Sequence, residues 1–125
     1  MIVGTGVDIC EVPRIQESIN RFGERFLHRV FTNADIQYCD SKVNRAERYA
    51  ARFAAKEAAM KAIGTGLRHG ISWHDVEVTR MPGGRPTIAF HGVAAQFAER
   101  LGAMRAHLSL SHTKENAIAF VILED

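Results

Sequence analysis

The stretch from Arg48 to Gly66, RYAARFAAKEAAMKAIGTG, leaves this chain the least freedom. It is rich in alanine, free of proline and meets no glycine before Gly64, so it predicts a helix of about four turns closed by a glycine C-cap. Arg48, Arg52 and Lys56 follow one another at i, i+4. Glu57 and Lys61 form a second such pair about a hundred degrees around the axis. A solvated pair of this kind is common on helix surfaces and contributes only about 0.2–0.5 kcal/mol. The local charge density points further. Lys42, Arg45, Arg48, Arg52, Lys56 and Lys61 oppose only Glu47 and Glu57, an excess of +4 in a chain whose total is +2. Such an excess suits a polyanion, for example a phosphate-bearing ligand held against this helix.

The remaining composition narrows the class. A chain of 125 residues, with 46% hydrophobic and 24% charged residues, suits one globular domain over 1–125. No apolar run approaches the roughly 20 residues of a membrane helix, and no leader pattern opens the chain, so a cytoplasmic protein without membrane partners is expected. Cys10 and Cys39 lack the spacing of a zinc site or a disulfide framework and are expected to be reduced. The six histidines are scattered, so any metal would be held by oxygen ligands. A net charge of +2 is too small to argue for nucleic acid. Residues 1–63 carry ten Lys or Arg against eight Asp or Glu, and 64–125 six against six. A partner drawn by charge would therefore approach the N-terminal half.

In chain order, Ile2–Ile9 (IVGTGVDI) reads as a buried strand, with Gly4 and Gly6 marking a close backbone approach. Asp8 near its end either caps the turn into the next helix, whose first position suits Pro13, or is a carboxylate on a rigid strand end, where hard metals bind. Ile15, Ile19 and Phe22 have helical spacing up to Gly23, and Arg14, Arg21 and Arg25 lie on the outer face, either solvated or docking an acidic partner. Phe22, Phe26, Phe31 and Phe53 fall in positions that read as core. Thr32 and Asp35 form a capping box for a helix through about Tyr38.

Beyond the central helix, GTGLRHG (Gly64–Gly70) either wraps a phosphate or is a turn. Strands are expected at Val76–Thr79 and Thr87–Phe90 around the turn PGGRP, and a helix at Gly92–Leu101. In the strand His107–Thr113, His112 reads as either a structural or a site histidine. The last strand, Ala117–Leu123, is apolar on both faces. It is therefore either central in its sheet or covered by another subunit.

Two stretches together resemble one family. GVDICEVPRI (Gly6–Ile15) and RFAAKEAAMKAIGTG (Arg52–Gly66) look like the signature motifs of the holo-[acyl-carrier-protein] synthases, the small 4′-phosphopantetheinyl transferases of bacterial fatty-acid synthesis. The GGRP turn and LSLSHTKENAIAFVI resemble the family's later segments, so the likeness runs over the whole chain. It implies an α+β fold of the phosphopantetheinyl transferase type, with a long central helix on a small, mainly antiparallel sheet. The implied reaction moves the phosphopantetheine arm of coenzyme A to a serine of apo acyl carrier protein, with Mg2+, and releases adenosine 3′,5′-bisphosphate. It also implies a homotrimer with active sites shared between subunits.

Carried over by position, Asp8 and Glu57 match the metal ligands and Lys61 the lysine facing the diphosphate. Arg52, Gly64 and Pro86 match positions near the nucleotide, and His112 with Thr113 match a pair offered by a neighbouring subunit. Arg14, Arg21 and Arg25 resemble the surface that grips the carrier protein. The chemistry fits these residue types, because a hard cation between two carboxylates neutralises a diphosphate, a nearby lysine stabilises the leaving group, and Glu57 is placed to accept the serine proton. Larger two-domain relatives carry a further acid where this chain has Cys10, and a thiol is a poor magnesium ligand. The competing readings are a basic module holding RNA or an acidic protein, and a hydrolase of nucleoside diphosphates.

Overall fold

All 125 residues are described by a computed structural model. The alanine-rich stretch becomes α4, Arg45–Ala62, which is 18 residues long and starts three residues before Arg48. Gly64 follows it at φ +81°, and the amides of Thr65 and Gly66 return to the Met60 carbonyl, as a glycine-closed helix end requires. Ala50, Ala51, Ala54, Ala55, Ala58, Ala59 and Ala62 are buried, so every layer of the fold packs on this helix.

The first layer is a three-stranded antiparallel sheet made of β1 (Ile2–Glu11), β5 (Asn116–Glu124) and β4 (Arg105–His112), with β5 central. The glycines of β1 explain how closely it lies on α4. A Cβ at Gly4 would stand 2.2 Å from the Ala62 carbonyl oxygen, and one at Gly6 would stand 1.9 Å from that of Ala58. Both lie far inside van der Waals contact, so only hydrogen can occupy the seam. The inner face of β5 buries Ala117, Ala119, Val121 and Leu123. Its outer face leaves Ile118 and Phe120 each 42% exposed, beside Val7 (48%) and Ile9 (66%) of β1. Of the two expectations for the last strand, the central position is the one realised, and its second face is apolar and exposed in the single chain.

Three short helices follow: α1 (Val12–Phe22) and α3 (Asn33–Asp40) pack on α4, while α2 (Glu24–Val30) packs on α1. Pro13 stands in the first turn of α1, and Gly23, at φ +57°, breaks α1 from α2. Thr32 and Asp35 make the expected reciprocal cap on α3. Phe22 corrects its reading as core. It is 48% exposed at the end of α1, while Phe31 is buried. The expected single sheet is in fact two. A 3-10 turn at Trp73–Asp75 leads into a separate hairpin of β2 (Val76–Arg80) and β3 (Pro86–Phe90). The Thr87 hydroxyl donates to the Ala106 carbonyl of β4 at 3.2 Å, and α5 (Gly92–Leu101) closes the fold. No helix is long and apolar enough to cross a membrane.

Candidate active site

Strand alternation places Asp8 on the same face of β1 as Gly4, Gly6 and Cys10, toward α4. Because the glycine seam draws the strand in, Lys61 reaches it. Its Nζ donates to Asp8 Oδ1 and to the Val7 carbonyl, each at 3.0 Å. Asp8 does not cap α1, whose first turn has no side-chain cap, so of its two readings the strand-end carboxylate is the one realised. Glu57 stands one helical turn before Lys61. Asp8 and Glu57 line the same cavity of about 350 Å³, together with Cys10, Arg14, Phe26 and Phe53.

The electrostatics agree with this proximity. Burial raises the proton affinity of Glu57, the Asp8 carboxylate raises it further, and Lys61 opposes both. Burial, and then Asp8, push the Cys10 thiol up to about 11, so it stays protonated at neutral pH and offers a hard cation nothing. Nowhere do three or more His, Cys, Asp or Glu gather to hold a metal. The donor set at this cavity is two carboxylates, which suits a hard divalent ion that takes the rest of its shell from substrate oxygens and water.

The cationic stripe along α4 is largely turned inward. Lys56 is fully buried. Its Nζ lies 3.3 Å from Asp35 Oδ2 and donates to the carbonyls of Trp73 (3.2 Å) and Val76. Arg52 is 5% exposed, with Nε 3.7 Å from Asp35 Oδ1 and its guanidinium 4.4 Å from the Tyr38 ring centroid. Arg45 pairs with Asp40 at 3.0 Å, and Arg48 donates to Asn44 at 3.2 Å. Helical spacing shows that these cations share a face, but it does not show which face meets the core. Asp35 is the residue that sequence reasoning missed, because its role as a helix cap accounted for it in full.

Of the other expected site residues, only Arg14 lines this cavity. Gly64 lies one turn past Lys61, with open space where a side chain would be. Pro86 opens β3 and lines a separate groove of about 750 Å³ with Arg85, Arg105, His107 and Phe120. His112, at the far end of β4, lies with Nδ1 2.9 Å from Glu47 Oε1 and donates to it. Thr113 accepts from the amides of Glu115 and Asn116. Glu47 and Glu57 are ten residues apart on one helix, about 15 Å along its axis, so His112 and Thr113 do not join Asp8 and Glu57 within one chain. Arg14, Arg21 and Arg25 are all exposed on α1 and α2, with Arg14 at the mouth of the 350 Å³ cavity and Arg21 stacked 5.3 Å over Phe22.

Comparison with known proteins is consistent along the whole length. The family model described as the 4′-phosphopantetheinyl transferase superfamily matches residues 4–121. The chain is 69% identical over 125 residues to the holo-[acyl-carrier-protein] synthase of Koribacter versatilis, covering 100% of both. It is similar to the crystal structure of that enzyme from Neisseria meningitidis, with a TM-score of 0.88, 33% identity and 100% of both chains covered. It is also similar to the Helicobacter pylori enzyme in complex with coenzyme A, with a TM-score of 0.83, 28% identity and 96% of this chain and 99% of that one covered.

Proposed function

We propose, from the premise that this chain belongs to the 4′-phosphopantetheinyl transferase superfamily, that it transfers the 4′-phosphopantetheine arm of coenzyme A to a serine of apo acyl carrier protein. The observation that carries the reading is that Asp8 and Glu57 line one cavity while Lys61, one helical turn from Glu57, contacts Asp8 across 53 positions of sequence. In the transfer, the serine oxygen forms a bond to the phosphorus bearing the pantetheine arm. The bond from that phosphorus to the bridging oxygen breaks, and adenosine 3′,5′-bisphosphate departs with the electron pair.

Glu57, with its raised proton affinity, is positioned to accept the serine proton. Lys61 supplies positive charge where the leaving bisphosphate accumulates negative charge. Asp8 and Glu57 would hold Mg2+, which when bound neutralises the diphosphate and polarises its phosphoryl oxygens. Arg14, which lines the cavity, and the exposed Arg21 and Arg25 on α1 and α2 suit an acidic carrier protein. His112 and Thr113 serve the site of a neighbouring copy, in a trimer assembled through the uncovered face of β1 and β5. Gly64 and Pro86 face the nucleotide portion in that assembly, whereas Arg52, buried against Asp35 and Tyr38, stays in the core of its own chain. The product, holo carrier protein, feeds cytoplasmic fatty-acid synthesis.

Mass spectrometry of apo carrier protein incubated with coenzyme A and Mg2+ tests this reading. Covalent transfer adds about 340 Da to the carrier protein. Cleavage of coenzyme A with no mass gained by the carrier would instead identify a hydrolase and overturn the transferase reading.

A further inference from the structure

The helix that carries Glu57 and Lys61 rests on a smooth seam. Methyl groups on α4 and bare glycines on β1 allow close approach, but they present few side chains that would resist rotation about the helix axis. Rotation matters here. With side chains about 5–6 Å from the axis, a turn of about 10° moves the Glu57 carboxylate by about 1 Å, a displacement that costs a catalytic site heavily. Directional bonds set that angle. Tyr49 makes one near the start of α4, to Asp40, and the residue immediately before Glu57 makes a convergent set. Lys56, with no solvent exposure, donates to the carbonyls of Trp73 and Val76 and faces Asp35.

We propose that Lys56 and Asp35 are positioning residues, a buried ion pair that fixes the rotation of α4 and so holds Glu57 and Lys61 against Asp8. The proposal rests on the transferase reading above. The pair is poorly arranged for stability alone. Asp35 Oδ1 has no hydrogen-bond partner, nor has Arg52 Nε 3.7 Å away, and apolar side chains of similar volume often hold such a site equally well. What the charged group adds is direction. Three acceptors from α3, the 3-10 turn and β2 converge on one ammonium.

The chain carries its own reporter. Its single tryptophan, Trp73, accepts from Lys56 through its carbonyl, and its ring lies 5.1 Å from that of Phe53, which lines the cavity of Asp8 and Glu57. The test compares the wild type with Lys56→Met, Asp35→Asn and Asp35→Glu. It measures transfer kinetics, Mn2+ binding by electron paramagnetic resonance, and Trp73 emission. Lys56→Met and Asp35→Asn should weaken Mn2+ binding and lower kcat by about tenfold or more, as loss of a supporting shell does, while the carrier protein's KM stays within about twofold. Trp73 emission should shift to the red in both, and Asp35→Glu should restore most of each property.

Folded Lys56→Met with wild-type Mn2+ affinity and kcat would overturn the proposal and leave the pair a purely structural one. If Asp35→Asn does not fold, the double variant Asp35→Leu with Lys56→Met, which leaves neither partner of the pair charged, replaces it under the same criteria. Should the wild type bind Mn2+ yet transfer nothing, the functional reading fails, while the Mn2+ comparison still decides whether the pair positions the carboxylates.

Discussion

Glu57 sits where stability alone would not place a carboxylate. It is half-buried beside Asp8, and its proton affinity is raised, first by desolvation and then by that neighbour. Its folded pKa lies above its unfolded one. As pH rises past the ordinary carboxylate range, the unfolded chain therefore loses this proton first and the folded state loses stability. At neutral pH Glu57→Gln should therefore melt at a higher temperature than the wild type when no divalent ion is present. With Mg2+ the order should narrow or reverse, since only the wild type keeps both carboxylates, and transfer by the variant should fall at least about a hundredfold. Scanning fluorimetry with and without Mg2+, beside the transfer assay, checks all three. At this scale the sequence was legible where spacing determined contact: Glu57 and Lys61 share a helical face, whereas the contact of Lys61 with Asp8, 53 positions away, came only with the fold. It was illegible where orientation decided. Arg52 and Lys56 keep the same periodicity whether they face water or Asp35, and only packing distinguishes the two.

Among the elements, the contact of β1 with α4 was readable because glycine in a strand has few purposes. The paired Gly4 and Gly6 announced a backbone approach, and the approach is to the carbonyls of Ala58 and Ala62. Gly6→Ala would place a methyl carbon 1.9 Å from the Ala58 oxygen, so strand and helix must separate. The variant should lose about 3 kcal/mol or more in a urea melt, at or beyond the usual cost of overpacking. Its remaining folded fraction should transfer poorly, because Asp8 moves with the strand. A melt within about 0.5 kcal/mol of the wild type would show the seam to be looser than described. The division into two sheets could not be read in the same way. β2 and β3 carry the same strand and turn signals as the others, and nothing in their sequence states that β3 meets β4 through a Thr87 side chain and not a ladder.

For the whole molecule, buried groups that ionise only at high pH set an alkaline limit. Burial pushes Cys10 up to about 11 and Cys39 up to about 12, and it raises the Tyr49 hydroxyl as well. Below about pH 8 these thiols are largely protonated whether the chain is folded or not, and they contribute no slope. Between there and their folded values the unfolded chain ionises while the native one does not, so stability should fall by about 1.4 kcal/mol per pH unit for each group within its window. Urea midpoints between pH 8 and 11 should decline progressively, and neither cysteine should react with a maleimide at pH 8 until the chain unfolds. A flat profile would contradict the burial of Cys10 and Cys39.

β5 serves two constituencies through alternate residues. Ala117, Ala119, Val121 and Leu123 answer to the folding of their own chain, while Ile118 and Phe120 look outward. A substitution at an odd position is therefore felt by the molecule that carries it. One at Ile118 or Phe120 leaves that molecule intact and is felt by whatever lies against it, so inherited damage on this strand divides by parity into private and communal faults.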